Sequence, residues 1–481
     1  MIPLNNKFIK LANHTLKTVP AYEFFLKQHG LDKKNIKSQK DFLVLPITDK
    51  KNYLKENNFF KLIPKKQKLP IAYASSGSSG KPSYWFRSKK QEITGGKIHE
   101  KIIRDIFQIK KEDKVLIIIC FSMGVWVAGN YTLECFRWLS EQDYNITTIT
   151  PGIEKHDILN ILKNLAPNFE KTILAGYPSF VMDILVETKK QKISLTKNFK
   201  ILTAGDSFSE KWREAALKYL SPNTNKTDII SIYGSADLGV MGFETPLSIF
   251  TRAAAANNKL FKEKLFGINE RLPALVQFMP DYIYIESVEN ELVLTADTAI
   301  PLIRYNIHDT GEIVSFTDMM ELLKRFNLFQ EAKKLRLTNW KLPFIIKKGR
   351  TDVAVTYYAL NIYPEHIEAG LKNSEFSKSV SGNFRAYNET VRNEKKENLI
   401  IEVEVKENFK NSNKTLERIS SSVLNSLIKL NIEFRKLYNT LGSQATPKIK
   451  FVNNILQNSA ASTKTLLYIS GKKPKIVLKN E

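Results

Sequence analysis

The densest chemical signal in the chain is Ser75-Ser76-Gly77-Ser78-Ser79-Gly80-Lys81, a run of hydroxyls, two glycines and one lysine. Glycine lets a backbone approach a ligand closely. Successive amide N–H groups in such a turn form a nest for anions, and the serine hydroxyls and the ammonium add donors. The chemistry this suits is phosphate binding. The glycine-to-lysine spacing is too short for a Walker A loop, and Pro82 stands where that loop needs Ser or Thr. A flexible Ser/Gly connector is the plain alternative, so the rest of the chain must decide.

A second set lies downstream, in Ile229-Ile230-Ser231-Ile232-Tyr233-Gly234-Ser235-Ala236-Asp237. A β-branched strand ends there in an aromatic, a glycine, a hydroxyl and an acid. Tyr233 can cover a purine face, Gly234 permits close approach, and Asp237 can hold Mg²⁺ through oxygen, directly or through water. Taken alone it reads equally as a strand-end turn with a solvated acid. A third set is Pro301-Leu302-Ile303-Arg304-Tyr305-Asn306-Ile307-His308-Asp309. Asp309 by itself is a turn acid, and His308 is read as a turn residue.

The elements that must position these groups follow from periodicity. Residues 7–30 read as helix with a break or restart at Pro20, and residues 89–108, 157–165, 318–334 and 414–438 also read as helix. Tyr84-Trp85-Phe86, Lys114–Cys120, Lys171–Gly176, Ile201–Ser207, Asn398–Val405 and Lys448–Val452 read as strands. A strand-rich stretch runs over 260–295 and includes Leu265-Phe266-Gly267. Strands alternating with helices indicate an α/β domain with largely parallel pairing. Ligands in such folds sit beyond the carboxyl ends of the strands.

The serine loop resembles the phosphate-binding loop of the adenylate-forming (acyl-activating, AMP-binding) superfamily, with serines for threonines. Val19-Pro20-Ala21-Tyr22 and Leu45-Pro46-Ile47-Thr48-Asp49-Lys50, a short distance before the loop, resemble the opening of phenylacetate–CoA ligase-like proteins. Tyr233–Asp237 resembles the family's Y-G-x-[ST]-E, with Asp237 for Glu. Residues 301–309 resemble its P-x-x-R-Y-x-x-x-D, and Gly349-Arg350-Thr351-Asp352 followed by Asn361–Glu368 resembles its hinge and the start of its C-terminal domain.

The resemblance implies a large N-terminal α/β domain with a β-rich subdomain, residues 1–347, and a small mobile α+β domain, residues 348–481. It implies that residues 75–81 hold the ATP phosphates, that Gly205 and Tyr233-Gly234-Ser235 lie near the adenine, and that Asp309 accepts from the ribose hydroxyls. Asp237 would hold the metal, Arg350 would lie near the nucleotide and Asp352 would be the hinge. Phe121, Trp126 and Tyr131 border the acyl pocket in the family, or are core aromatics. The adenylation lysine is Lys464, with Lys472 as the rival. The implied reaction is a carboxylic acid plus MgATP giving acyl-adenylate and pyrophosphate, then transfer to CoA.

Val353, Tyr358 and Ala359 replace an Asp and an Arg-Gly pair of the family. They leave open a protein thiol or an amine as the acceptor, an acyl-carrier protein among them. Asp237 for Glu and Thr463 for Gly leave open a nucleotide-binding homologue that has lost catalysis.

Composition sets outer limits. At 481 residues the chain can bury more than one core. Its two cysteines, Cys120 and Cys135, sit in apolar surroundings and suit a reducing compartment. The six histidines have no zinc-site spacing. The net charge of +24 comes from lysines spread along the chain, so nucleic acid is not expected as a partner. The apolar run from Val115 to Gly129 falls short of the ~20 residues of a membrane span, and no signal-peptide core precedes it. A cytoplasmic location is expected.

Overall fold

The computed structural model describes residues 3–31, 35–75, 83–267, 272–350, 355–358, 360–372, 375–376, 379–391, 396–406, 413–455, 465–468 and 475–477. They fall into two compact units. The larger takes in most of the described residues up to 350.

The strands lying wholly or mostly in that unit are β1 Thr48–Asp49, β2 Ile71–Ser75, β3 Ser83–Arg87, β4 Val115–Cys120, β5 Ile146–Ile149, β6 Lys171–Gly176, β7 Asn198–Ala204, β8 Ile229–Ser235, β9 Gly239–Phe243, β10 Ala274–Gln277, β11 Ile283–Val288, β12 Glu291–Ala296, β13 Leu302–Val314 and β14 Phe344–Arg350. β2 and β3 flank the serine loop and form a two-stranded sheet. The remaining twelve make one sheet in the order β11-β12-β13-β14-β10-β9-β8-β7-β6-β4-β5, with β1 added to β13.

Its two halves differ in kind. β5, β4, β6, β7 and β8 are parallel. The helices Val127–Ser140, Lys155–Asn164, Pro178–Lys190 and Glu210–Leu217 supply the crossovers between them. Val-Leu-Ile-Ile-Ile-Cys in β4 is buried at every position, as a parallel strand covered on both faces must be. From β8 onward the pairing is antiparallel. β1 alone rejoins in parallel, matching Thr48 to Tyr305 and Asp49 to Asn306.

Four buried charges brace the parallel half. Arg213 donates from Nε to Glu210 at 3.1 Å and from Nη2 to Glu244 at 2.6 Å. Arg252 donates to Glu210 at 2.6 Å, to the Phe208 carbonyl at 2.7 Å and to the Pro273 carbonyl at 2.9 Å. Glu244 in turn accepts from the Ser231 amide at 2.9 Å. The network ties the segment after β7 to β8 and to the helix Pro246–Asn257.

The smaller unit holds β15 Val355–Tyr357 paired with β16 Leu360–Ile362, and a five-stranded sheet. Its strands are β17 Val380–Val391, β18 Lys396–Val405, β19 Lys448–Val452, β20 Thr465–Tyr468 and β21 Lys475–Val477, in the order β19-β18-β17-β20-β21. The helices Pro364–Leu371, Asn413–Leu430 and Ile432–Leu441 pack a core with Ile367, Phe384, Leu399, Val423 and Phe434.

The mixed α/β architecture agrees with expectation, as do the helical break at Pro20, which opens Pro20–Gln28, and the free, buried cysteines. Four local expectations are corrected. Leu265-Phe266-Gly267 is not strand but the end of the helix Lys259–Phe266, stopped by Gly267 at φ +76°; Phe261, Leu265 and Phe266 bury one helical face. The helix expected over 318–334 is two, Phe316–Arg325 and Phe329–Lys334, interrupted where Asn327 takes φ +59°. The helix expected over 414–438 divides at Asn431, whose side chain accepts from the Phe434 amide at 3.0 Å and caps the second piece. His308 lies inside β13 at φ +62°, not in a turn. Among the described residues no helix is long and apolar enough to cross a membrane.

Candidate active site

Asp237 sits in the tight turn between β8 and β9. That turn closes because Gly239 has φ +86° and no Cβ; a Cβ there would lie 2.8 Å from the Tyr131 hydroxyl. Ser235 Oγ accepts from the Leu238 amide at 3.2 Å across the same turn. The Asp237 carboxylate is gripped from β13: the Tyr305 hydroxyl donates to Oδ2 at 2.6 Å. Its other oxygen, Oδ1, lies 3.9 Å from Lys50 Nζ. The side chain stays 12% exposed.

Below the turn is Arg87, only 1% exposed. It donates to the Ala236 carbonyl at 2.6 Å and to the Asp237 carbonyl at 3.4 Å. Its guanidinium carbon lies 5.8 Å from the Tyr73 ring centre and 5.6 Å from that of Tyr131. Burial pulls the guanidinium pKa below its ordinary range, and Tyr131, Tyr73 and Asp237 pull the other way.

Asp309 is 2% exposed. The Tyr233 hydroxyl donates to its Oδ2. Lys347 Nζ lies 4.0 Å from the same oxygen and 5.4 Å from the Tyr233 ring centre. Thus the tyrosine of β8 holds the acid of β13, and the tyrosine of β13 holds the acid that follows β8. Three strands separate β8 from β13 in the sheet order, so this reciprocal clamp fixes the two acids relative to one another. Arg350 ends β14 directly opposite Asp309 in the ladder.

Gly205 follows β7 at φ +90°, with Asp206 Oδ1 accepting from the Ser207 amide at 2.7 Å beside it. Gly234 has no room for a side chain: a Cβ would lie 2.9 Å from the Gly239 carbonyl oxygen. Phe121 is buried edge-on to Tyr177, with ring centres 5.0 Å apart. Trp126 is buried at the start of the helix Val127–Ser140. Tyr131 is buried on that helix, packed with Tyr73 and Cys135, and burial pushes its phenol pKa up.

His308 Nε2 lies 3.5 Å from Asp49 Oδ2 and its Nδ1 3.6 Å from Glu291 Oε1. The side chain of Ser75 and the residues Ser76, Gly77, Ser78, Ser79, Gly80, Lys81, Asp352, Ala359, Lys464 and Lys472 lie outside what the structure describes, as does the side chain of Arg350.

Four contributors were not picked out as site residues from sequence. Lys50 stands in the Leu45–Lys50 segment that carried part of the resemblance, so a signal existed. Tyr305 likewise stands in the Asp309 motif. Arg87 and Lys347 gave none, since a lone basic residue in a strand is ordinarily a solvated one.

Set against known proteins, the chain is 21% identical over 370 residues to the phenylacetate-coenzyme A ligase of Thermus thermophilus, covering 75% of this chain and 73% of that protein. It is 22% identical over 359 residues to the phenylacetate-coenzyme A ligase of Aromatoleum evansii, with 74% and 72% covered. No family model matches. Among solved structures, a 2-hydroxyisobutyryl-CoA ligase in complex with 2-HIB-AMP and CoA superposes with a TM-score of 0.62 at 14% identity, covering 95% of this chain and 87% of that one. The same ligase in its postadenylation state with R3-HIB-AMP gives 0.52 at 14% identity. The chain is thus similar in sequence, over about three quarters of its length, to two phenylacetate-coenzyme A ligases, and its fold is that of an acyl-CoA ligase.

Proposed function

We propose that the protein activates a carboxylic acid with ATP, releasing pyrophosphate, and passes the acyl group from the resulting adenylate to CoA. The observation that carries this is the reciprocal clamp, which holds two carboxylates at fixed separation on one site, one closed in and one open. A carboxylate oxygen of the substrate attacks the α-phosphorus. The bond to the β-phosphate oxygen breaks, and its electrons leave with pyrophosphate. In the second step the CoA sulfur bonds to the acyl carbon and AMP leaves with the electrons of the broken mixed-anhydride bond. No nucleophilic side chain is required, so the protein's work is positioning and charge stabilisation.

Asp309 accepts from the ribose hydroxyls and Tyr233 covers the adenine. The loop at 75–81 takes the β- and γ-phosphates. Asp237 has one oxygen fixed by Tyr305 and the other directed at a cation. A lone acid of this kind fits Mg²⁺, which takes its remaining ligands from water and substrate phosphates; no cluster of three metal-ligating side chains occurs among the described residues. The Mg²⁺ of MgATP would offset charge on the phosphates. Lys464, carried by the C-terminal domain (348–481), supplies a cation to the transition state, Arg350 lies near the nucleotide, and the small domain turns about Asp352 between the two steps. Phe121, Trp126 and Tyr131 wall the acyl side. The carboxylate is a small molecule, and the setting is cytoplasmic.

Carboxylate-dependent ATP–pyrophosphate exchange over a panel of aryl and fatty acids tests the first step. Exchange with at least one acid, lost in Lys464→Ala and kept in Lys472→Ala, is expected; loss only in Lys472→Ala reassigns the lysine, and no exchange with any acid removes adenylation. Adding CoA to a working assay should give a thioester by mass. A second reading of the acceptor, a protein thiol or an amine, is favoured by Tyr358. It stands where the family has Arg, is buried, and holds φ +46° with its amide bonded to Glu397 at 2.9 Å. An adenylate that forms but yields no CoA thioester selects it.

A further inference from the structure

Lys50 is built into the site with more care than a surface lysine needs. Its backbone is set by β1, which lies in register with the strand that bears Tyr305. The Thr48 hydroxyl donates to the Ile303 carbonyl at 3.0 Å, and the Asp49 carboxylate caps the helical turn Lys50–Leu54 by accepting from Lys51 N at 2.7 Å and Asn52 N at 2.6 Å. The ammonium lies 5.1 Å from the ring centre of buried Trp85, within range of a cation–π attraction. It faces Asp237 Oδ1 at 3.9 Å, too far for a direct hydrogen bond. The side chain is 34% exposed, so a ligand can reach it.

The two oxygens of Asp237 are therefore treated differently. Oδ2 has a fixed neutral donor. Oδ1 has a charged neighbour on a flexible stem. A metal ion bonds a carboxylate oxygen at about 2.0–2.1 Å when it is Mg²⁺, and an ammonium beside that oxygen repels it. Trp85 offers the displaced ammonium a resting place one ring away.

We propose that Lys50 competes with the nucleotide's metal for Asp237 and, once displaced, turns its ammonium to the nucleotide phosphates as a second cation of the site. This rests on the reading of Asp237 as the residue that meets MgATP, and deepens it. The open oxygen of Asp237 would thereby stay neutralised until metal and phosphate arrive together.

The test is ATP binding followed by calorimetry at a series of free Mg²⁺ concentrations, alongside pyrophosphate exchange, in wild type, Lys50→Met and Lys50→Arg. In Lys50→Met the Mg²⁺ concentration that half-saturates ATP binding should fall about two- to fivefold, the worth of one partly exposed charge pair. Maximal exchange should fall at least about tenfold as a phosphate-facing cation is lost. Lys50→Arg should keep the wild-type Mg²⁺ dependence. In a Lys50→Met, Asp237→Asn double variant the Mg²⁺ advantage should vanish. An Mg²⁺ requirement unchanged or raised in Lys50→Met overturns the proposal, as does ATP binding by wild type that ignores Mg²⁺. The binding arm needs no turnover. Were no carboxylate to support exchange while the Mg²⁺ shift appeared, adenylation would fall and the Lys50 assignment would stand.

Discussion

Two of the sets of buried charge in the larger unit are satisfied in opposite ways. Around Arg213 and Arg252 every guanidinium faces a carboxylate, and the carbonyls of Phe208, Ile229 and Pro273 take most of the remaining donors. Around Arg87 the guanidinium meets two carbonyls and two aromatic rings, and Nε has no partner among the described residues. In that second set Asp237 is left with an open oxygen and a lysine that does not close on it. A closed network of buried ions holds a fold in one arrangement. An incompletely paired one keeps donors and acceptors in reserve for something that arrives from outside. Buried charged groups left incompletely satisfied beside a partly open acid are candidates for a functional site.

Substitutions should separate the two sets. Arg213→Met leaves Glu210 and Glu244 buried without their shared partner, and should lower unfolding free energy by about 3–5 kcal/mol, read by urea denaturation; the ATP dependence of the folded fraction should not move. Asp237→Asn keeps an acceptor for the Tyr305 hydroxyl, so stability should hold while pyrophosphate exchange falls about 10²-fold. A drop in stability as large as that of Arg213→Met would erase the distinction.

Arg87→Met falls between. It strips the Ala236 and Asp237 carbonyls of a donor, at a cost of about 1–3 kcal/mol, and loosens the turn that aims Asp237. The KM for ATP should rise severalfold with a lesser change in kcat.

The smallest effect concerns a buried polar group that avoids charge altogether. His99 donates from Nδ1 to the Gly95 carbonyl at 2.9 Å, and burial holds its pKa down to about 4 against an ordinary 6.5. Between those values the unfolded chain binds the extra proton and the folded one does not. Stability is therefore complete above about pH 6.5 and declines as pH falls toward 4. Near pH 5.5 His99 accounts for about 1 kcal/mol of that decline. His99→Phe should flatten the pH dependence of the denaturation midpoint by that amount. His366, in the smaller unit and also lowered to about 4 by burial, should retain its own share.

The sequence was most legible where one residue type has one strong local consequence. Pro20 broke the first helix, the apolar run at 115–120 became a buried strand, and glycines with strand-end acids marked the turns at 234–237. It was least legible where periodicity continued across a break. Nothing in the apolar spacing of 318–334 or 414–438 shows that Asn327 adopts positive φ or that Asn431 turns into a cap, since asparagine is tolerated in helices and favoured at both exceptions. Leu265-Phe266-Gly267 is ambiguous for a different reason: three residues are too few to tell a helix end from a strand.

The order of the motifs, the alternation of strand and helix, and the hydroxyls, glycines, aromatics and acids within the motifs are all carried by the sequence. Those follow from local propensity and side-chain chemistry. Only the tertiary structure decided which of them meet. Tyr305 reaches Asp237 across 68 residues, Tyr233 reaches Asp309 across 76, and Arg87 reaches Ala236 across 149. Contacts at such separations depend on how strands pair and in what register. Pairing is set by the burial of whole faces, which no short stretch of sequence encodes.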